Sequence, residues 1–345
     1  MTAIMTSAIP GAPFCALVRL DAGDARAAVA VLEAHPAGLP RAPTDLTRAL
    51  GASQGLLLLR GLEAISQEPP LLVRLSRLFG LVVENYLDTG MEPNKVHPSV
   101  PEILIVSIAA PVHQPTPARP VPALTAEGAL PVCFPHRRGW HTDQSYRRPP
   151  PDISLFYAVQ PAPAGQGQTL YANGTGAYAA LSPAMQKRIE GLHGIHVKPR
   201  SGRSEQAVRA GETPKPLSPL EQPQRQPLVR THPVTGQRAL FLCEAGQMDW
   251  ISGPIEGLGK GPDGEGAALL YELMAHYTSP PFTYVHEWQR GDLVVYDNRS
   301  TILAATWFDS DRHQRVMWRT TVWGNPGAEY AGVAKSWVGA GAVRD

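Results

Sequence analysis

The sequence predicts a mainly β chain, a sandwich or barrel carrying a few helices. Three observations lead there. First, 35 prolines and 32 glycines punctuate the 345 residues, which leaves little room for long helices. Second, short apolar runs bounded by turn residues dominate the pattern. Third, these runs are scattered over most of the chain, the distribution of an all-β sandwich or barrel.

In chain order, residues 56–59 (LLLL) open the series as a strand. Residues 71–79 carry an apolar face at helical spacing. Residues 103–108 and 153–159 read as strands. Ser182-Pro183 supplies an N-cap followed by proline at the first helical position, so a helix is expected over 184–192. Residues 239–242 read as a strand. Residues 266–277 place Leu269, Leu270, Leu273 and Met274 on one side of a helix, with Asp263 near its start. Two further strands are expected at 293–296 and 316–322. Between these elements, 111–135 is rich in proline and alanine, and 200–227 is polar with five prolines. Both read as loop or lid insertions. The expectation is one domain over 1–345, with its core at about 50–325.

Composition narrows the function classes. With 43% hydrophobic residues the chain can bury a large core. Its net charge of +1, without long charge runs, argues against a nucleic-acid footprint or a membrane-surface patch. No apolar run is long enough to span a bilayer, and the N-terminus lacks a signal-peptide pattern. Cys15, Cys133 and Cys243 are far apart, with no CxxC pair. That argues against a disulfide framework or zinc cluster and fits a reducing, cytoplasmic compartment.

The strongest local signal is Trp140-His141-Thr142-Asp143-Gln144-Ser145-Tyr146. In an extended segment, residues two apart share a face, so His141 and Asp143 can reach one metal. An imidazole with a carboxylate suits Fe(II), which takes mixed nitrogen and oxygen ligands and keeps positions open. Alone, the dyad reads more readily as a surface histidine beside a solvated aspartate.

Its context is more specific. Gly165-Gln166-Gly167-Gln168-Thr169-Leu170-Tyr171-Ala172-Asn173 follows, then Ala177-Tyr178-Ala179-Ala180-Leu181. Later come Trp288-Gln289-Arg290-Gly291-Asp292, Tyr296-Asp297-Asn298-Arg299 and Arg315-Val316-Met317-Trp318-Arg319. His232-Pro233-Val234-Thr235-Gly236 and the run from Gly55 to Gly61 add to the set. In this order the blocks resemble the TauD/TfdA family of Fe(II)/2-oxoglutarate dioxygenases, over roughly residues 50–325.

The resemblance implies a double-stranded β-helix, a cupin-like jelly roll with flanking helices. It implies Fe(II) as the metal, with His141 and Asp143 as ligands. It implies 2-oxoglutarate as co-substrate, with Thr169 and Arg315 at its distal carboxylate. A planar guanidinium is the right partner for that group. It implies Arg319 as a contact to an acidic substrate group, although a surface ion pair is an equal reading of that arginine.

One position departs from the pattern. After Asp297-Asn298-Arg299 the family has three residues and then a metal-binding histidine; here that position is Leu303. Leucine has no lone pair. His136, His286 and His313 are the nearby histidines to weigh as substitutes, and strand geometry does not bring His313 back to position 303. A halogenase is excluded, because such relatives lose the carboxylate whereas Asp143 is kept.

Two functions remain. One is an oxygenase that hydroxylates or desaturates a C–H bond of a small, amino-acid-like or carboxylated substrate, using molecular oxygen and an incomplete metal triad. The other is a non-catalytic relative, a binding protein or silent subunit of a heteromeric enzyme. An engineered change at Leu303 is a third explanation of that residue. Either a homo- or a hetero-oligomer is compatible with the chain.

Overall fold

A computed structural model describes residues 5–19, 26, 30, 45–89, 91–107, 116–119, 121, 124–130, 139–244 and 246–337. Sixteen strands are found among them. In chain order they are β1 (Met5–Ala8), β2 (Ala16–Arg19), β3 (Leu56–Leu59), β4 (Val82–Val83), β5 (Val96–His97), β6 (Val100–Ser107), β7 (Ile153–Gln160) and β8 (Thr169–Asn173). There follow β9 (His193–His196), β10 (Gln224–Pro227), β11 (Val229–Thr231), β12 (Arg238–Leu240), β13 (Thr283–His286), β14 (Leu293–Asp297), β15 (Thr301–Ala305) and β16 (Val316–Trp323).

Two facing sheets make the jelly roll. The major sheet runs β1-β2-β3-β14-β7-β16-β6-β5, with β4 pairing the end of β16; the minor sheet runs β13-β8-β15. Alternation along each strand divides its side chains between two faces. Leu57, Leu59, Leu155, Tyr157, Leu293, Val295 and Trp318 pack outward under the helix Pro70–Arg77. Leu56, Leu58, Phe156, Ala158, Val294, Tyr296 and Met317 face inward and meet Tyr171, Tyr284 and Leu303 from the minor sheet. The outer face of the minor sheet, through Leu170, Ala172, Ile302 and Ala304, packs against Leu269, Leu270, Leu273 and Met274 of the helix Glu265–Tyr277. The two sheets thus share one apolar interior and are each sealed from outside by a helix.

The expected helices appear as Pro70–Arg77, Pro183–Ile189 and Glu265–Tyr277. Ser182 caps the second, its hydroxyl accepting from the Met185 amide. Strand β6 starts earlier than its apolar run, at Val100, and β12 covers Arg238–Leu240 rather than 239–242. The minor-sheet strands are not among the apolar runs that pattern alone identifies. Thr169–Asn173 and Thr301–Ala305 carry asparagine and alanine, residues of low β propensity, and become strands by pairing with each other.

Segment 200–227 holds a helix at Glu205–Arg209, a 3-10 turn at Pro219–Glu221 and β10, which pairs with β9. Within 111–135, residues 116–119, 121 and 124–130 are described and contain no helix or strand. The remainder of that segment, with Cys133, lies outside the described residues, as does His136. Cys15 and Cys243 are buried and free.

Candidate active site

His141 reaches the interior by pairing with the edge of the minor sheet. Its amide donates to the Leu303 carbonyl at 2.9 Å, and the Leu303 amide donates back to the His141 carbonyl at 2.7 Å. This is an antiparallel bridge, so the two side chains point to the same face. The imidazole Nδ1 lies 2.6 Å from the Gly139 carbonyl. A carbonyl only accepts, so the proton sits on Nδ1 and Nε2 presents its lone pair. Nε2 stands 4.0 Å from Asp143 Oδ1.

Asp143 is almost wholly buried and held from every side. Its Oδ2 accepts from Ser154 at 2.7 Å and from Tyr296 at 2.6 Å. Its Oδ1 accepts from Arg319 Nη1. Asn298 sits behind it. The Asn298 Oδ1 accepts the Asp143 amide at 3.2 Å and the Thr142 hydroxyl at 3.1 Å, while Nδ2 donates to Ser154 at 2.9 Å. Burial alone would raise the Asp143 carboxyl. Arg319, His141 and the two hydroxyls outweigh it and hold the group below its usual range.

A second network anchors the turn that carries Asn298. Asp297 binds Arg299 Nε at 2.8 Å and Nη2 at 2.6 Å, and His232 Nε2 at 2.9 Å. The His232 Nδ1 accepts the amides of Val234 and Thr235, so its proton is on Nε2 and points at Asp297. This buried network accounts for the His-Pro-Val-Thr-Gly run.

Arg315 immediately precedes β16 and Arg319 lies four residues on; the first sits over Phe156 and the second on Asp143, both inward like Met317. Arg315 is buried, its Nε and Nη2 have no hydrogen-bond partner, and its guanidinium lies 5.7 Å from the Phe156 ring centroid. Burial pushes its pKa down to about 10. A desolvated, unpaired cation is costly unless an anion joins it. Thr169 is buried on β8, and its hydroxyl accepts the Trp288 indole N–H at 2.9 Å. Arg319 keeps one nitrogen, Nε, without a hydrogen-bond partner.

The structure thus brings His141, Asp143, Arg319 and Leu303 to one face of the interior. His286 is buried beside Asp292, 3.2 Å away, and against Trp288; it is a packing residue on the same strand pairing as Thr169. His313 lines a surface groove with Gln160, Pro161 and Arg312. Among the described residues no group of three or more His, Cys, Asp or Glu is placed to hold a metal. Ser154 lies outside every motif block, and Tyr296 and Asn298, though inside one, carry no role from the sequence, because their contacts with Asp143 depend on strand register.

The donors suit a metal with two protein ligands. Neighbouring ligands with bonds of about 2.1 Å to one ion stand about 3 Å apart, so Nε2 and Oδ1, at 4.0 Å, would draw together by about 1 Å to share an ion. The unpaired Arg315 suits a dicarboxylate co-substrate.

The sequence model of the taurine catabolism dioxygenase TauD, TfdA family matches residues 33–321. Pentalenolactone F synthase of Streptomyces arenae is 30% identical over 271 residues, 76% of this chain and 80% of that protein. The alpha-ketoglutarate-dependent 2,4-dichlorophenoxyacetate dioxygenase of Cupriavidus pinatubonensis is 33% identical over 183 residues, 53% of this chain and 59% of that enzyme. A taurine dioxygenase structure from Burkholderia xenovorans shares the fold at a TM-score of 0.60 and 22% identity, covering 94% of this chain and 90% of that one. Among the described residues no helix is long and apolar enough to cross a membrane. The chain belongs to the TauD/TfdA family, and with it to the 2-oxoglutarate-dependent dioxygenases, enzymes whose membership implies Fe(II) and 2-oxoglutarate.

Proposed function

We propose that this protein oxidises a C–H bond of a small carboxylated or amino-acid-like molecule, by hydroxylation or desaturation, at a metal held by two protein ligands rather than three. The observation that carries the reading is Arg315, a buried guanidinium with two unpartnered nitrogens, opening into the interior that His141 and Asp143 also face. When bound, Fe(II) with 2-oxoglutarate and oxygen supplies the oxidation, leaving succinate and carbon dioxide.

The residues of the chain do the rest. The Gly139 carbonyl fixes the His141 tautomer, so that Nε2 is available as a ligand. Ser154 and Tyr296 hold Asp143 Oδ2, while Oδ1, which also accepts from Arg319, lies 4.0 Å from His141 Nε2. Leu303 fills the third ligand position with hydrocarbon and excludes water from that side. Arg315 pairs with the distal carboxylate of 2-oxoglutarate, with Thr169 beside it. Arg319 reaches a substrate carboxylate through Nε while Nη1 stays on Asp143. The phenoxyacetate named for one relative supports a carboxylated substrate. The segments 111–135 and 200–227 are proposed as insertions covering a single domain.

The test is anaerobic titration with 2-oxoglutarate, followed by exposure to oxygen and assay of succinate. Binding with succinate formation is expected. Binding without succinate would move the protein to the non-catalytic reading, and no binding would remove Arg315 from its role.

A further inference from the structure

We propose that the Tyr171 hydroxyl is a ligand-binding group of this chain, donating a hydrogen bond to the carboxylate of the dicarboxylate that Arg315 holds. The inference rests on the co-substrate reading above and adds a residue to it.

Register places Tyr171 at the centre of the site wall. Tyr284 on β13 pairs with Tyr171 on β8, Tyr171 pairs with Leu303 on β15, and Leu303 pairs with His141. Directly opposed residues share a face, so these four side chains form one inward row. Strands lie about 4.8 Å apart, which puts Tyr171 roughly 10 Å from His141 along the row. A five-carbon dicarboxylate lying between the His141–Asp143 pair and Arg315 passes over that stretch.

Hydrogen bonding separates Tyr171 from its neighbours. Three tyrosines face the interior: Tyr171, Tyr284 and Tyr296. The Tyr296 hydroxyl donates to Asp143, and the Tyr284 hydroxyl bonds to His286 Nδ1 at 3.0 Å. The Tyr171 hydroxyl is fully buried and has no partner. Buried phenols almost always find one. Leu303, beside it in the row, offers none. The ring itself is fixed, with its centroid 5.5 Å from that of Tyr296, so the orphan is not a side chain free to turn elsewhere.

Two buried unsatisfied groups therefore serve one interior, a phenol donor and the Nε and Nη2 donors of Arg315. Both can donate and both lack an acceptor, a need that one carboxylate meets at both groups. Phe156 links the two: it packs in one apolar cluster with Tyr171, and the Arg315 guanidinium lies 5.7 Å from its ring centroid. Burial pushes the phenol well above its ordinary range, which keeps it protonated as a donor.

The experiment compares the wild type with Tyr171→Phe. Each protein, loaded with Mn(II) as a redox-inert ion, is titrated calorimetrically with 2-oxoglutarate, and each ligand-free protein is melted. We expect Tyr171→Phe to weaken the dissociation constant about ten-fold, equivalent to about 1.4 kcal/mol, and to leave the ligand-free melting temperature unchanged or raised. A purely structural hydroxyl would lower the melting temperature and leave affinity unchanged, which overturns the proposal. Equal affinity of both proteins also overturns it while leaving the co-substrate reading intact. No binding by the wild type overturns both.

Discussion

Leu303 and His141 face each other across an antiparallel bridge, exchanging backbone hydrogen bonds of 2.7 and 2.9 Å. The leucine side chain therefore stands on the same inner wall as the imidazole, within the apolar cluster that includes Tyr171 and Tyr296. Burying it stabilises the interior by about 2 kcal/mol relative to exposure.

Replacing it with histidine tests the two-ligand site. Leu303→His should lower the melting temperature of the metal-free protein, because an imidazole placed among hydrocarbon lacks partners, at a cost of about 1–3 kcal/mol. Added Mn(II) should restore the lost stability and bind at least ten-fold more tightly than to the wild type, as read by electron paramagnetic resonance. Unchanged metal affinity would mean that position 303 does not address the metal.

Arg315→Met removes a buried cation without opening a large void. The ligand-free variant should be no less stable than the wild type, since the guanidinium has two unpaired nitrogens. Its 2-oxoglutarate affinity should fall by about 100-fold or more, in line with roughly 3 kcal/mol for a charged hydrogen-bond pair. A large loss of stability in the absence of ligand would assign Arg315 a structural role instead.

Arg319 should be tied energetically to Asp143. Arg319→Met leaves the carboxylate buried with only two hydroxyls and should destabilise by about 3–5 kcal/mol. Asp143→Asn in the same chain should recover part of that, giving a coupling well above 1 kcal/mol in a double-mutant cycle from urea denaturation. Additive effects would show that the pair contributes little.

His196 should make the protein acid-sensitive. Burial, with a smaller effect from Arg230, lowers its pKa to about 3, and neither ring nitrogen has a hydrogen-bond partner. The unfolded chain takes up a proton near pH 6.5 that the folded one refuses. The stability contribution is therefore fully present above about pH 6.5 and is lost as pH falls towards 3, by up to about 1.4 kcal/mol per pH unit. His196→Leu should flatten that slope. An identical pH profile for both proteins would mean that other groups set it.

Much of this was legible in the sequence, for identifiable reasons. The runs at 56–59, 153–159 and 293–296 are nearly all apolar, and both their faces are buried, one under a helix and one in the interior. His141 and Asp143 are two apart, so their nearness is local, although the bridge to Leu303 and the partners of Asp143 set their directions. Arg319 is different. Its contact with Asp143 follows from where β16 lies relative to the loop after His141, a relationship that no local pattern encodes. Tyr171 was part of a motif block, but its unpaired hydroxyl emerges only once the registers of β13, β8 and β15 are known. Ser154 and Tyr296 are cross-strand partners on β7 and β14; Ser154 carries no sequence signal, and the motif block that holds Tyr296 does not reveal its contact with Asp143.

The bridge between residues 141 and 303 is made entirely of main-chain atoms, and that separates the place of the side chain at 303 from its identity. Any side chain of leucine's bulk can stand there while β15 keeps its place. Position 303 is in that sense a socket: the backbone holds beside His141 whatever side chain of that size the sequence supplies, and the scaffold is indifferent to the choice.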